Sequence, residues 1–270
     1  MTRTRSAASE GEAYDRFAPL YDSFMDDVDY GAWARHYLSV AGVVEPIAIC
    51  ECGCGTGSMS VRWLEAGHRV IGVDRSARML SVAAEKARGR CLRLELACQD
   101  IRELELHKPV DAIFAPCDVL NYIKDLGSLS RFFASARAFL KPGGVLAFDL
   151  STRFKFESEL GGQAFFDDRD EATCLWHNAW DGAKGELTMR LTVFERERDG
   201  YSRFDERHVQ YSRSEGEIRS GLAGAGFTNV RAYGDFSLDP PKRDSLRVHY
   251  VAAKPFLLRQ VCFNDRHRRR

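Results

Sequence analysis

Two sets of residues have types and spacing suited to chemistry. The first is residues 51–60, ECGCGTGSMS, where Gly53, Gly55 and Gly57 alternate behind the acid Glu51. Alternating glycines after an apolar run make a tight turn at a strand's carboxyl end, where backbone can touch a ligand. Three chemistries are open to such a turn: dinucleotide binding, a metal or redox site on Cys50, Cys52 and Cys54, or another cofactor. A dinucleotide fingerprint needs a further glycine three residues on, so that a helix N-terminus meets the pyrophosphate. Ser58 and Ser60 stand at the two places where it would fall. Zinc sites favour cysteine pairs with two-residue gaps and a second pair elsewhere. These cysteines have one-residue gaps, which favours small buried thiols and no metal. The second set is Glu206 and His208, two apart in an alternating stretch and therefore on one face of a strand. His208 is the first candidate for a general base, and Trp176 and His177 are candidates for a substrate wall.

The elements that would position these residues can be read from periodicity. Apolar runs at 47–52, 68–74, 92–100, 110–116 and 144–150 read as strands. Helical patterns fall between them at 58–67, 76–89 and 129–140, with Gly67 and Gly89 as stops, Ser76 as an N-cap and Lys141-Pro142-Gly143-Gly144 closing the third. Alternating β and α units with near-continuous apolar strands argue for a parallel sheet covered by helices on both faces. From about 160 to 212 the pattern changes to two-residue alternation, with turn signals at Asp181-Gly182 and Asp199-Gly200, which reads as an antiparallel insertion. A helix over 214–227 opens with a Ser214/Glu217 capping box, and two strands joined by a short connection close the core. The segment before the core, 14–43, is rich in Tyr, Phe and Asp and has helical spacing over 31–41.

Bulk properties narrow the partners. The 270 residues suit one α/β domain with an insertion, or two small domains, and the formal net charge of +0 argues against a nucleic-acid partner. No apolar run reaches the roughly 20 residues of a membrane helix. Residues 1–13 read as a disordered tail without a secretory signal, and residues 257–270 as a basic, solvated tail. Scattered cysteines within apolar segments fit reduced thiols in a cytoplasm.

The turn Glu-x-Gly-x-Gly-x-Gly resembles motif I of the class I S-adenosylmethionine-dependent methyltransferases. Asp74 at the end of the second strand, Gln99-Asp100-Ile101 after the third, Ala115-Pro116-Cys117-Asp118 after the fourth and the Leu140-Lys-Pro-Gly-Gly run are similar to that family's later motifs, in order. The resemblance covers roughly 45–150 and 214–255. It implies an α/β fold: a Rossmann-like seven-stranded sheet with a terminal antiparallel hairpin, flanked by helices. It implies S-adenosyl-L-methionine as cofactor and S-adenosyl-L-homocysteine as product. The cofactor carries a sulfonium cation and no pyrophosphate, which suits an acid at the turn. The resemblance places Glu51, Gly53, Cys54, Gly55, Gly57, Asp74, Arg75, Met79, Gln99, Asp100, Ile101, Cys117, Asp118 and Asn121 against the cofactor, with Asp74 on the ribose and Asp100 and Ile101 on the adenine.

A narrower resemblance rests on Tyr14-Asp15-x-Phe17-Ala18-x-x-Tyr21-Asp22, Asp26-Asp27-x-x-Tyr30-x-x-Trp33, Asp118-x-x-Asn121-Tyr122 and Arg203-Phe204-x-Glu206-x-His208. These are similar to a bacterial subgroup of that family thought to act on small molecules. Aromatic faces that attract cations place Tyr14 and Tyr21 at the cofactor; Tyr14 and His208 are the candidates for catalysis, and Tyr122, Trp176 and His208 for the substrate. The expected division is a helical cap at 14–43, a core at 44–150 and 213–256, and a substrate lid at 151–212. The expected activity is methyl transfer to nitrogen or oxygen of a small molecule, with RNA or protein methylation and NAD(P)-dependent oxidoreduction as rivals. Asp239-Pro240-Pro241-Lys242 resembles a motif of nucleic-acid amine methyltransferases, but it lies between the last two strands and lacks the closing aromatic, which makes it a hairpin loop.

Overall fold

The apolar runs become β1 (Ala48–Cys52), β2 (Arg69–Asp74), β3 (Glu95–Cys98), β4 (Val110–Ala115) and β5 (Leu140–Ser151), all mutually parallel. The computed structural model describes Tyr14 and residues 16–256; the expected tails at 1–13 and 257–270 lie outside the described residues. β10 (Thr228–Gly234) and β11 (Arg247–Ala253) complete a seven-stranded sheet ordered β10-β11-β5-β4-β1-β2-β3. β11 is antiparallel to both its neighbours, so it alone runs against the rest. The connection between β10 and β11 is not short: it runs from 235 to 246.

Alternation along each strand feeds two separate cores, which is why these strands are apolar throughout. Cys50, Cys52, Ile113, Phe148 and Leu150 pack with α5 (Leu126–Phe139) and α6 (Glu215–Gly224). Ile49, Ala112, Phe114 and Ala147 pack with α2 (Tyr30–Ala41) and α3 (Ser58–Glu65). α4 (Ala77–Gly89) follows β2 and is capped by Ser76, which accepts from the Met79 N–H. The capping box at α6 forms as read, with Ser214 and Glu217 bonding reciprocally.

Several boundaries differ from the sequence reading. α5 begins at Leu126 rather than 129, because the Asp125 carboxylate accepts from Ser128 N and supplies a cap. Lys141-Pro142-Gly143-Gly144 does not close that helix but lies inside β5 as a register shift. There Gly143 has φ +80° and donates to Lys254 O. Gly89 is the last helical residue, and the left-handed position falls on Cys91, at φ +56°.

Between β5 and α6 the chain makes one π-helical segment, Lys155–Leu160, and then a second sheet. β6 (Ala164–Asp168), β7 (Ala172–Asp181), β8 (Glu186–Glu197) and β9 (Gly200–Tyr211) pair antiparallel in sequence order. Cys174, Val193 and Phe204 on one face pack against Phe17, Leu20 and Phe24 of the N-terminal segment. Among its described residues that segment is less helical than expected, with α1 (Tyr21–Phe24) besides α2. Among the described residues no helix is long and apolar enough to cross a membrane.

Candidate active site

The glycine turn follows β1 and faces the carboxyl ends of β2 and β4. Gly53, Gly55 and Gly57 all have left-handed φ, at +69°, +51° and +75°. At Gly53 a Cβ would also stand 2.5 Å from Val119 Cγ2, so the turn closes tightly on the segment after β4. At Gly55 a Cβ would meet no atom within 4 Å, which leaves an open cradle. Gly55 N donates to Asp74 Oδ2 at 2.9 Å, and Ser76 N donates to Oδ1 at 2.9 Å. Asp74 is thereby fixed beside the turn, and burial raises its carboxyl above the ordinary range.

Glu51 lies on the α2–α3 face, 2% exposed, with Ser60 Oγ donating to it. Burial pushes its carboxyl up to about 8, although the Ser60 hydrogen bond opposes the shift. A buried carboxyl that holds its proton at neutral pH is stabilised as a carboxylate only when a cation arrives. Asp22 reaches the same turn from the N-terminal segment. Its carboxylate accepts from Thr56 Oγ1 at 2.6 Å, within the turn leading into α3, and from Lys86 Nζ at 2.7 Å. A dinucleotide would bring two more negative charges against Glu51 and Asp22. A sulfonium cofactor would favour the Glu51 carboxylate, so this end of the turn suits S-adenosylmethionine better than a pyrophosphate cofactor.

The segment after β4 is strained. Cys117 and Asp118 take φ +59° and +52° in succession, a conformation rare outside glycine. Asp149, near the end of β5 and fully buried, holds it there. Its carboxylate accepts from Cys117 N at 2.7 Å, Asp118 N at 3.0 Å, Tyr37 Oη at 2.5 Å and the Arg247 guanidinium. Arg247 also pairs with Asp118 Oδ1 at 2.9 Å, and Gln210 of β9 donates to Asp118 Oδ2 at 2.6 Å. Burial would raise Asp118, but Arg247, Lys155 and Gln210 outweigh it and hold the carboxylate below its usual range. Burial pushes the Cys117 thiol up, which suits a wall residue rather than a nucleophile.

Over this segment stands an aromatic group drawn from three parts of the chain. Tyr14 Oη and Tyr122 Oη are 2.6 Å apart, and Tyr14 packs on His208 with ring centroids 4.4 Å apart. Tyr21 contacts Tyr14 edge-on and bonds to Tyr30. Burial raises all four phenols, keeping them neutral. His208 Nε2 lies 3.1 Å from Glu206 Oε2, so in the neutral ring the carboxylate fixes the proton on Nε2 and leaves Nδ1 as an acceptor with no partner among the described residues. Glu206 also accepts from Tyr14 N and Phe17 N, at 3.0 and 3.1 Å.

The remaining residues singled out from sequence have varied placements. Cys54 and Met79 are buried behind the turn, and Arg75 is exposed beside Asp74. Gln99 exchanges hydrogen bonds with the Glu105 main chain, at 3.1 Å each. Asp100 caps the turn at Ile101 and pairs with Arg102, so its carboxylate is engaged within its own loop. Asn121 was expected at the cofactor; instead its amide ties Ser151 N and O to Tyr211 O, so it pins β5 to β9. Trp176 faces inward, while His177 is exposed on the opposite face and cannot line the site. Sequence reasoning missed Asp149, Arg247, Lys86 and Gln210. Asp149 did carry a signal, as a lone acid in an otherwise apolar strand.

Comparison with known proteins agrees with this arrangement. The methyltransferase domain family matches residues 49–144. A protein of Geobacillus sp. (strain WCH70), named as a methyltransferase, is 32% identical over 245 residues, covering 89% of this chain and 99% of its own. An S-adenosylmethionine-dependent methyltransferase from Clostridium acetobutylicum ATCC 824 has a TM-score of 0.78 at 29% identity, covering 90% of this chain and 99% of its own. A sugar N-methyltransferase from Streptoalloteichus sp. ATCC 53650 shares the fold, with a TM-score of 0.73 at 18% identity over 94% of this chain and 98% of its own. With its glycine cradle, its cation-ready Glu51 and a relative matched along nearly its whole length, the chain belongs to the class I S-adenosylmethionine-dependent methyltransferases.

Proposed function

We propose that this protein transfers a methyl group from S-adenosylmethionine to a nitrogen or oxygen of a small molecule, with His208 as the general base. The observation that carries the reading is the buried Glu206–His208 pair with Nδ1 unpartnered, packed on Tyr14 above the Cys117-Asp118 segment. Glu51, Gly53, Gly55 and Asp74 would hold the cofactor, with Tyr14 and Tyr21 beside it. When bound, S-adenosylmethionine supplies an electrophilic methyl group on a sulfonium.

The chain's own residues do the rest. His208 Nδ1 takes the proton that leaves the acceptor N–H or O–H, and the Glu206 carboxylate steadies the resulting imidazolium. The four phenols exclude water, and their ring faces favour a cation. Asp118, fixed by Arg247 and Gln210, sets the floor under the acceptor. A base buried on the inner face of the inserted sheet, only 3% exposed, supports a small acceptor over a folded polymer. The fold-sharing sugar N-methyltransferase is consistent with an amine or hydroxyl acceptor, although it speaks for the fold alone.

The test is methyl-labelled S-adenosylmethionine with a size-fractionated cell extract. Label is expected in small molecules, and His208→Ala is expected to lower kcat by about 10²–10⁴-fold with S-adenosylhomocysteine affinity kept. Label appearing in the RNA or protein fraction would instead support the rival within the family.

A further inference from the structure

The inward face of the inserted sheet carries polar groups with no partner among the described residues. Strand pairing sets Asn178, Met189 and His208 in one row across β7, β8 and β9. Asn178 is fully buried, yet neither Nδ2 nor Oδ1 has a partner among the described residues. His208 Nδ1 at the other end of the row is likewise unpartnered, as is the buried Nε1 of Trp176 in the adjoining row. Buried polar groups in native proteins are nearly always paired, so four such atoms on one face of one sheet call for a ligand. Two strand spacings separate Asn178 from His208, roughly 10 Å. That span suits a ring-sized molecule with one end at the amide and the reacting end at the imidazole. Met189 between them is a pliable apolar floor.

We infer that Asn178, with Trp176 and Met189, forms the subsite that recognises the methyl acceptor, and that the acceptor bears a neutral group with adjacent hydrogen-bond donor and acceptor, such as a carboxamide or vicinal hydroxyls. This rests on the methyltransferase reading above. A primary amide presents two N–H donors beside a carbonyl acceptor, and its natural complement carries the same pair reversed. Fixed charge is absent from the Asn178 row, and Glu206 in the next row is already saturated by Tyr14 N, Phe17 N and His208. The cations at this face are already engaged: Arg153, over the Trp180 ring, pairs with Glu157, and Arg16 stacks on Phe204, so an anionic group would have to displace existing partners.

The experiment titrates the full chain with benzamide and methyl glucoside, against benzoate and glucose phosphate as charged counterparts, followed by saturation-transfer NMR. S-adenosylhomocysteine binding is measured first on every variant, and the probes are then added to the saturated protein. The neutral probes are expected to bind at least tenfold tighter than the anions. Asn178→Leu and Trp176→Phe are each expected to weaken them about fivefold or more, with S-adenosylhomocysteine affinity unchanged. Asn178→Leu removes an unsatisfied amide and is expected to keep or raise Tm, so lost binding is separable from lost fold. The inference is overturned if the neutral probes fail to bind, bind both variants as they bind the parent, or bind no better than the anions; a buried water alone would give that result. If S-adenosylhomocysteine itself does not bind, the methyltransferase reading fails first, and the probes are titrated on the free protein, where the same three outcomes decide.

Discussion

Glu51 and His249 give this protein a pH dependence with two opposing parts. Burial holds the folded Glu51 proton up to about 8, against 4.5 for a free carboxyl, so its contribution is full below pH 4.5 and is lost as pH rises to 8. A shift of that size corresponds to roughly 5 kcal/mol, as an order of magnitude. His249 acts oppositely. Burial lowers it to about 4, so the unfolded chain binds a proton near 6.5 that the folded chain refuses, and stability falls as pH drops from 6.5 to 4. The slopes offset each other between 4.5 and 6.5, and above 6.5 the Glu51 slope stands alone. Urea unfolding is expected to show stability falling from pH 6.5 to 8, with Glu51→Gln flat over that window. Asp149 is the second residue with a large expected effect. Asp149→Asn removes the charge from a carboxylate that holds two strained N–H groups and faces Arg247. About 3 kcal/mol of stability is expected to go, read as a Tm lower by roughly 6–12 °C. An unchanged Tm would mean that the left-handed pair is held by something else.

At the scale of elements, the N-terminal segment works as a crossbeam with a latch at each end. Glu206 of β9 grips the N–H groups of Tyr14 and Phe17, while Asp22 grips Lys86, Thr56 and Ser58 beside the glycine turn. Phe17, Leu20 and Phe24 lie between them on the inserted sheet. Asp22→Ala is expected to release the core end only. Dissociation of S-adenosylhomocysteine should quicken about tenfold and amide exchange should rise over 16–30, while β1 and β4 keep their protection. If exchange rises equally in the core strands, the crossbeam is part of the global fold and not a separate unit. The elements themselves were largely legible, because strands buried on both faces and capped helices write their pattern locally. Ser76 and the Ser214/Glu217 box announced their helices, and Glu206 with His208 announced a shared face. Contacts between distant segments left no such mark. Arg247 reads as an ordinary basic residue until β11 lies beside β5 and sets it against Asp149. Lys86 reads as a solvated helix residue until Asp22 folds over it. Asn121 matched a family position, but the strand ends it joins were invisible from spacing.

On the scale of the whole molecule, the seven-stranded sheet supplies a cradle suited to a cation, and the inserted sheet with the crossbeam covers it. The acid-rich surroundings of that cradle, Glu51, Asp74 and Asp22, separate a sulfonium cofactor from a pyrophosphate one more sharply than fold alone does. The most direct measurement is a calorimetric titration of the purified chain with S-adenosylhomocysteine and, separately, with NADH. One-to-one micromolar binding of S-adenosylhomocysteine and no binding of NADH are expected. Saturable binding of NADH with S-adenosylhomocysteine inert would contradict this, and would return the turn at Gly53, Gly55 and Gly57 to the dinucleotide class.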